Sequence, residues 1–415
     1  KGINVNVDIK KAIFYYSLAA NQNDSESQFK LGHIYEEGIY VPFDINKAIQ
    51  YYTLAANNRH RVAMFNLALI YYEANYVKQD INKAIHYFTI LANDNDEVSQ
   101  YNIGFLYYEG KYVEMNVQKG IFYLTLAAQN GFAEAQFYLG KIYELGTYVK
   151  RDMKKAISFY TLAANQNDSK SQYALGIIYH LAKFVPRDIN KAIHYYELAA
   201  KNHDIDALFN LGTIYYGGEF TEINMNKAIH YYSLAANQGC VRSQFNLGVI
   251  YEQGKLVQRD MNKSIYYYNL ASNQNYANAQ FNLGLIYDKG NYVAKDLNRA
   301  IHFYTLAANQ NHSHSQANLS ELCFSYLHDE NKGVYYLTLS ANQGEPQSQF
   351  NLGCLYINGK YLKQNIEKGI HYLTLSANGN YSDAQCNLGV LYFSEEFLPL
   401  NVTKSIHYFT LAANN

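Results

Sequence analysis

The side chains of this 415-residue chain most apt to do chemistry are thirteen histidines and four cysteines, and their spacing argues against a reactive centre. His86, His194, His230, His302, His371 and His407 share one position of a sequence that repeats itself. A zinc ion needs its ligands converging at about 2 Å, whereas equivalent side chains on stacked helices stand about 10 Å apart. The spacing predicts a solvent-facing ladder. His312 and His314, two apart at a helix start, are no better placed. Cys240, Cys323, Cys354 and Cys386 are too few and too irregular to cross-link every copy, so reduced thiols and a cytoplasmic location are expected.

Aspartates recur, but at helix starts, where their oxygens are committed to capping. There is no nucleophile elbow, phosphate-cradling glycine loop or zinc-protease histidine pair. The sequence therefore predicts no catalytic residue, no metal and no cofactor. Sequons at Asn23, Asn167, Asn311, Asn380 and Asn401 are what a chain rich in Asn and Ser produces by chance. With 34 basic against 35 acidic residues there is no electrostatic footprint for nucleic acid or an anionic membrane. No apolar run approaches the ~20 residues a membrane span needs.

The elements that carry these residues follow from the repeat, which outranks any local motif. Aligned on one basic residue, the copies fall at Lys11, Lys47, Lys83, Lys119, Lys155, Lys191, Lys227, Lys263, Arg299, Lys332, Lys368 and Lys404, a step of 36 residues except for 33 between Arg299 and Lys332. Each copy reads as two helices. In the first, Ser243, Leu247, Ile250 and Tyr251 fall on one face. Inside it stands a glycine that costs about 1 kcal/mol relative to alanine. Gly32, Gly104, Gly140, Gly176, Gly212, Gly248, Gly284, Gly353 and Gly389 nevertheless recur there, with Ala68 and Ser320 as small exceptions. A repeated cost predicts a repeated close crossing. Gly254 and its equivalents supply a left-handed C-cap, Asp260 and its equivalents an N-cap for the second helix. An aromatic pair and Ala-Ala then follow.

The pattern Ser/Ala-x-x-x-Leu-Gly-x-x-Tyr-x-x-Gly, then Asp-x-x-Lys-Ala, an aromatic pair and Ala-Ala, resembles the Sel-like repeat family (SLR), relatives of the tetratricopeptide repeat, over essentially the whole chain. The tryptophan that often precedes the second-helix tyrosine in that family is absent. The resemblance implies an all-α fold, an α/α right-handed superhelix (solenoid) of 36-residue helix-turn-helix repeats. The expected organisation is one solenoid over 1–415, about eleven hairpins after an unpaired N-terminal second helix, with an irregular repeat at 312–345. Gly2 aligns with Gly38, and no polar capping helix follows the last second helix, so a fragment of a longer protein is expected. Some secreted bacterial members carry one disulfide per repeat; the four irregular cysteines do not fit that pattern.

In an SLR superhelix the first helix lines the concave surface. Its stripe lies three before the glycine, then one and four after it. The first position is aromatic in most copies (Phe29, Phe65, Tyr101, Phe137, Tyr173, Phe209, Phe245, Phe281, Phe350), which predicts packing. The other two vary, and variation on a fixed scaffold is where a ligand can be encoded. Leu69, Tyr72, Phe105 and Tyr108 are expected to form an aromatic patch, with Thr213 and Tyr216 further along. The asparagine two before the glycine is expected to grip a peptide backbone or to bond the next hairpin. The family resemblance implies a non-catalytic protein-interaction scaffold or adaptor whose partners are other proteins or peptide segments. Alternatives are a targeting arm of a larger enzyme such as a protein kinase, and an architectural part of a large assembly.

Overall fold

The computed structural model of the chain describes residues 8–394 and 396–414. Among them all regular structure is helical: twenty-three α-helices, one π-turn at Cys323–Leu327 and no strand, an all-α solenoid of tandem hairpins. The chain divides into two compact units, Lys1–Ala207 and Leu208–Asn415, each built from the same hairpin. Copies are numbered here from the hairpin of Ser25–Glu37 and Ile45–Asn57; copy 9 pairs Ser313–Leu322 with Glu330–Asn342, and copy 10 pairs Pro346–Asn358 with Ile366–Asn378. The reading of Lys1–Val7 as the tail of an incomplete hairpin, and of Asn415 as a stopping point, falls outside the described residues.

Local chemistry sets the helix ends. The Asp or Asn before each of the twelve second helices accepts a hydrogen bond from the amide three residues on, at 2.9–3.1 Å. At the C-caps Gly38, Gly110, Gly146, Gly218, Gly254, Gly290 and Gly359 take φ of 62–67°, while Ala74 and Ala182 are forced to 58° and 56°. The turn into the next copy uses a left-handed residue too. Asn23, Asn95, Asn167, Asn275, Asn311 and Asn380 adopt φ of 59–65° there, a region asparagine tolerates. Four of the five sequon asparagines are thus turn residues, and the fifth, Asn401, is an N-cap.

The recurrent glycine meets an aromatic ring. Tyr52, Tyr160, Tyr196, Tyr232, Tyr268 and Tyr304, the second of each aromatic pair, are the largest fully buried side chains. Each lies flat on the glycine of its own hairpin, and a Cβ built on Gly248 would sit 2.5 Å from Cδ1 of Tyr268. Three copies are built differently. Where the ring is replaced by Leu124, Leu337 or Leu373, the alanine four residues earlier becomes Gly120, Gly333 or Gly369. In copies 3 and 10 the backbones then approach directly: a Cβ on Gly104 would meet the Leu124 nitrogen at 2.8 Å, and one on Gly353 the Gly369 carbonyl at 3.0 Å.

Copies are joined by a ladder of buried glutamines. Gln100 donates to the Ala92 carbonyl of the preceding helix at 3.0 Å and accepts from Asn130 of the following turn at 2.9 Å. Gln28, Gln136, Gln172, Gln244, Gln280 and Gln316 repeat the bond to the preceding helix, and each accepts from the amide about thirty residues on. A buried amide satisfied on both ends fixes the register of three helices at once. The basic residues that align the copies, Lys11 and Lys332 apart, lie over a first-helix tyrosine, as Lys119 does over Tyr107 at 4.0 Å.

Two substitutions test this packing. Gly248→Val drives a branched side chain into the Tyr268 ring and should lower stability by about 2 kcal/mol or more; an unchanged thermal melting curve would refute the crossing. Ala74→Gly should raise stability by about 1 kcal/mol by relieving a left-handed alanine, read as a higher denaturation midpoint.

Candidate interaction surfaces

The position four after the glycine varies for a reason internal to each hairpin. A tyrosine buried on glycine needs a partner for its hydroxyl. The residue four after the glycine supplies it: Glu36 accepts from Tyr52 at 2.5 Å, Glu144 from Tyr160 at 2.6 Å, Glu252 from Tyr268 at 2.6 Å and Asp288 from Tyr304 at 3.5 Å. His180 meets Tyr196 at 3.2 Å. In copy 6 the threonine hydroxyl of Thr213 takes the role, 3.1 Å from the Tyr232 hydroxyl, and the Tyr216 ring lies 6.5 Å from that of Tyr232. Thr213, itself exposed, and the half-buried Tyr216 thus also touch the second helix of their own hairpin. In the leucine copies the second helix brings no hydroxyl to this place, and the same position carries no acid: Tyr108, Phe324 or Ile357 stands there.

Tyr108 is accordingly a core residue. It is 7% exposed, and its Cβ lies 2.8 Å from where a Cβ on Gly120 would be. Its ring stands edge-on to Tyr138 at 5.9 Å and to Tyr148 at 5.7 Å. The expected surface role does not fit that position: Gly120 opens a space in the hairpin that Tyr108 fills. Leu69, Tyr72 and Phe105 are half-buried. Tyr72 packs on Phe88, which has no hydroxyl, and meets Tyr112 edge-on at 5.9 Å. Tyr72, Phe105, Glu109, Lys111 and Tyr112 line a hollow of about 170 Å³.

The aromatic residues three before the glycine stack within their hairpin and on the next copy, as Phe245 does against Tyr268 at 5.7 Å and Tyr276 at 5.2 Å. The asparagines bond backward, not onward. Asn282 donates to the Tyr268 hydroxyl at 2.9 Å and Asn318 to that of Tyr304 at 3.1 Å. Asn282 and Asn318 are committed to the stack. The six aligned histidines are exposed, each edge-on to the aromatic residue after it, as with His86 and Tyr87 at 5.3 Å. No group of three His, Cys, Asp or Glu among the described residues is placed to hold a metal, and no disulfide joins the four cysteines. No helix among those residues is long and apolar enough to cross a membrane.

One set of surface residues was missed by the sequence reading although its period is plain. Tyr40, Tyr76, Tyr112, Tyr148 and Phe184 sit at the same point of successive loops in the first unit, and are 38–68% exposed. Each from Tyr76 onward rests on the copy before it: Tyr76 on Phe43, Tyr112 on Tyr72, Tyr148 on Tyr108, Phe184 on Arg151. Exposed aromatic rings held in place are the side chains that anchor interfaces.

Stacked helical hairpins whose variable positions satisfy their own buried rings define an interaction solenoid, a class that is typically non-catalytic. The chain belongs to the Sel1 repeat family, whose model matches in twelve segments covering 1–24, 25–60 and onward to 382–415. It is similar to the c5321 protective antigen of uropathogenic Escherichia coli, which displays an SLR fold, with 28% identity over 99% of this chain and 88% of that one and a TM-score of 0.73. It is also similar to a Sel1 repeat protein from Oxalobacter formigenes, with 25% identity over 83% of this chain and 90% of that one and a TM-score of 0.55. No curated protein matches it. Sel1 repeat proteins generally mediate protein–protein interactions.

Two measurements test the buried tyrosines. A double-mutant cycle of Tyr160→Phe and Glu144→Ala should give a coupling of about 1–2 kcal/mol in folding stability; additive effects would show that Glu144 is free for a ligand. Burial, and then the neighbouring carboxylate, raises the hydroxyl pKa of Tyr52 and Tyr160 above the ordinary 10.0. For Tyr268 the order of causes is the same. Such a phenol keeps its proton in the folded state longer than in the unfolded one. Stability is therefore intact below about pH 10 and lost as pH rises beyond it, so the melting temperature should fall in that range.

Proposed function

We propose that the chain is a non-catalytic scaffold or adaptor that binds polypeptide segments through the first-helix face of its hairpins and the loop aromatics beside it. The observation that carries this reading is the exposed set Tyr40, Tyr76, Tyr112, Tyr148 and Phe184, recurring at each hairpin of the first unit. Aromatic residues immobilised on a scaffold bind with little loss of side-chain freedom. The hollow of Tyr72, Phe105 and Tyr112 lies beside one of them, rimmed by Glu109 and Lys111, and suits a segment with an apolar anchor and polar flanks. Leu69 extends that surface toward Asn66 and Tyr76. A balanced net charge of −1 supports partners that are neither strongly acidic nor basic, in line with polypeptide in place of nucleic acid. Four free cysteines are consistent with a reducing, cytoplasmic setting.

The test is affinity capture from native extract with the intact array and with a Tyr72→Ser, Tyr112→Ser variant, read by quantitative mass spectrometry. Both residues lie outside the glycine crossings, so the variant should melt within a few degrees of the parent. Partners lost only from the variant would support the surface; identical sets from both would overturn it.

A further inference from the structure

Copy 9 breaks the internal code in several places at once, and the breaks open a cleft. Where most copies carry an aromatic residue three before the glycine, copy 9 has Ala317. Where most bury a tyrosine on the second helix, it has Leu337. The two other leucine copies keep their first-helix aromatic, Tyr101 and Phe350, and after Leu124 the next copy adds Tyr138, packed against the same cluster. After Leu337 the next copy offers Asn351, which is exposed although its counterparts Asn246, Asn282 and Asn318 are half-buried. The loop is also three residues short. The Asp329 amide still reaches the Cys323 carbonyl at 2.9 Å, as Asp296 reaches Tyr287, because the last turn widens into a π-turn.

The result is a cleft of about 560 Å³ between the first helices of copies 9 and 10, lined among others by Ala317, Leu337, Asn351 and Phe324, on which Tyr361 stacks at 5.0 Å. The neighbouring junction shows what fills this place. There Phe281 packs on Tyr304 with ring centroids 6.1 Å apart, and Asn318 donates to the Tyr304 hydroxyl. Asn318, which bonds Tyr304 in that packed interface, lines the cleft as well; the cleft lacks the two rings, yet keeps in Asn351 the asparagine that would meet a phenolic hydroxyl. Its lining carries one carboxylate, Glu321, and one ammonium, Lys360, so it selects neither anion nor cation.

We infer that this cleft binds a tyrosine side chain presented by a partner polypeptide, with the ring in the space left by Ala317 and Leu337 and the hydroxyl accepting from the Asn351 amide. The inference rests on the reading of the chain as a polypeptide-binding array. It concerns residues apart from Tyr72 and Tyr112, so either can fail alone.

The experiment is a methyl NMR titration of the full chain, following Leu337 and Leu355, with N-acetyl-tyrosine amide as probe and the phenylalanine and leucine amides as controls. Saturable shifts are expected with the tyrosine probe, about five-fold weaker binding with phenylalanine because one hydrogen bond is lost, and none with leucine. Ala317→Phe restores the ring of the other copies, so it should melt no lower than the parent and should abolish the shifts. Asn351→Leu should bind both aromatic probes and lose the preference for tyrosine. No saturable shift in the parent, undiminished binding by Ala317→Phe, or a tyrosine preference that survives Asn351→Leu would each overturn the assignment. Self-association of the parent by sedimentation, lost in Ala317→Phe, would overturn the separate partner by making the occupant a second copy.

Discussion

A tyrosine ring lying on a glycine holds each common hairpin together, and much else in the sequence adapts to it. The ring excludes any Cβ at the crossing, which explains a helix-interior glycine that persists against its propensity cost. Burial of the ring buries its hydroxyl as well, and an unsatisfied hydroxyl costs about 1–3 kcal/mol. The hairpin therefore supplies Glu36, Glu144, Glu252, Asp288 or Thr213 on one side. The next copy supplies an asparagine, as with Asn282 on Tyr268. One aromatic choice thus sets residue types at three further positions, two within its hairpin and one in its neighbour. The leucine copies show the converse. Without that hydroxyl the acid disappears, an aromatic or aliphatic side chain takes its place, and in copies 3 and 10 a second glycine lets the backbones close up.

Between copies the dominant constraint is different. Packing of small residues sets how near the helices come, but apolar contact is poorly directional. The buried glutamines add direction, since Gln100 holds the Ala92 carbonyl and the Asn130 amide together. A slip of one residue would leave two buried polar groups without partners. Most of these amides lie between the small residue that starts the packing stripe and the aromatic one that follows it, as in Ser99-Gln100-Tyr101. Polar specification and apolar burial are interleaved on the same turn of helix.

Much of this was legible in the sequence. Helix ends could be read because capping is local: an N-cap aspartate and its amide are three residues apart, and a left-handed glycine reports its own backbone. The glycine crossing was legible as a cost that recurs, though not which ring caused it. The variable stripe was misjudged in part. Variation at Tyr108 looked like freedom for a ligand, because Gly120, to which it answers, lies twelve positions away on the other helix. The glutamine ladder was passed over because glutamine in a polar-rich chain gives no hint of burial until its two partners, eight residues before and thirty after, are brought together.

A structure made of copies turns its exceptions into measurements. A missing aromatic residue in an ordinary core says little, because neighbouring side chains can be rearranged to fill the gap. Here the same gap is posed more than once, and the repairs can be compared. Copy 3 loses its tyrosine and the next copy provides Tyr138; copy 10 loses its tyrosine and keeps Phe350, while Asn387 reaches the Cys354 sulfur at 3.5 Å. Copy 9 alone loses both rings; Phe324 packs against Gly333 and Tyr361 of the next copy stacks on it, while the space beside Ala317 stays open. A shortened loop by itself would be degeneration of one hairpin, yet Asp329 still caps its helix, Gln316 still joins Ala308 to Gln343, and Ser320 donates to the Gly333 carbonyl at 2.7 Å. These polar links of copy 9 are kept although the rings at positions 317 and 337 are gone. Decay would be expected to erode both together, whereas a site kept open for a ring from outside needs the first and excludes the second.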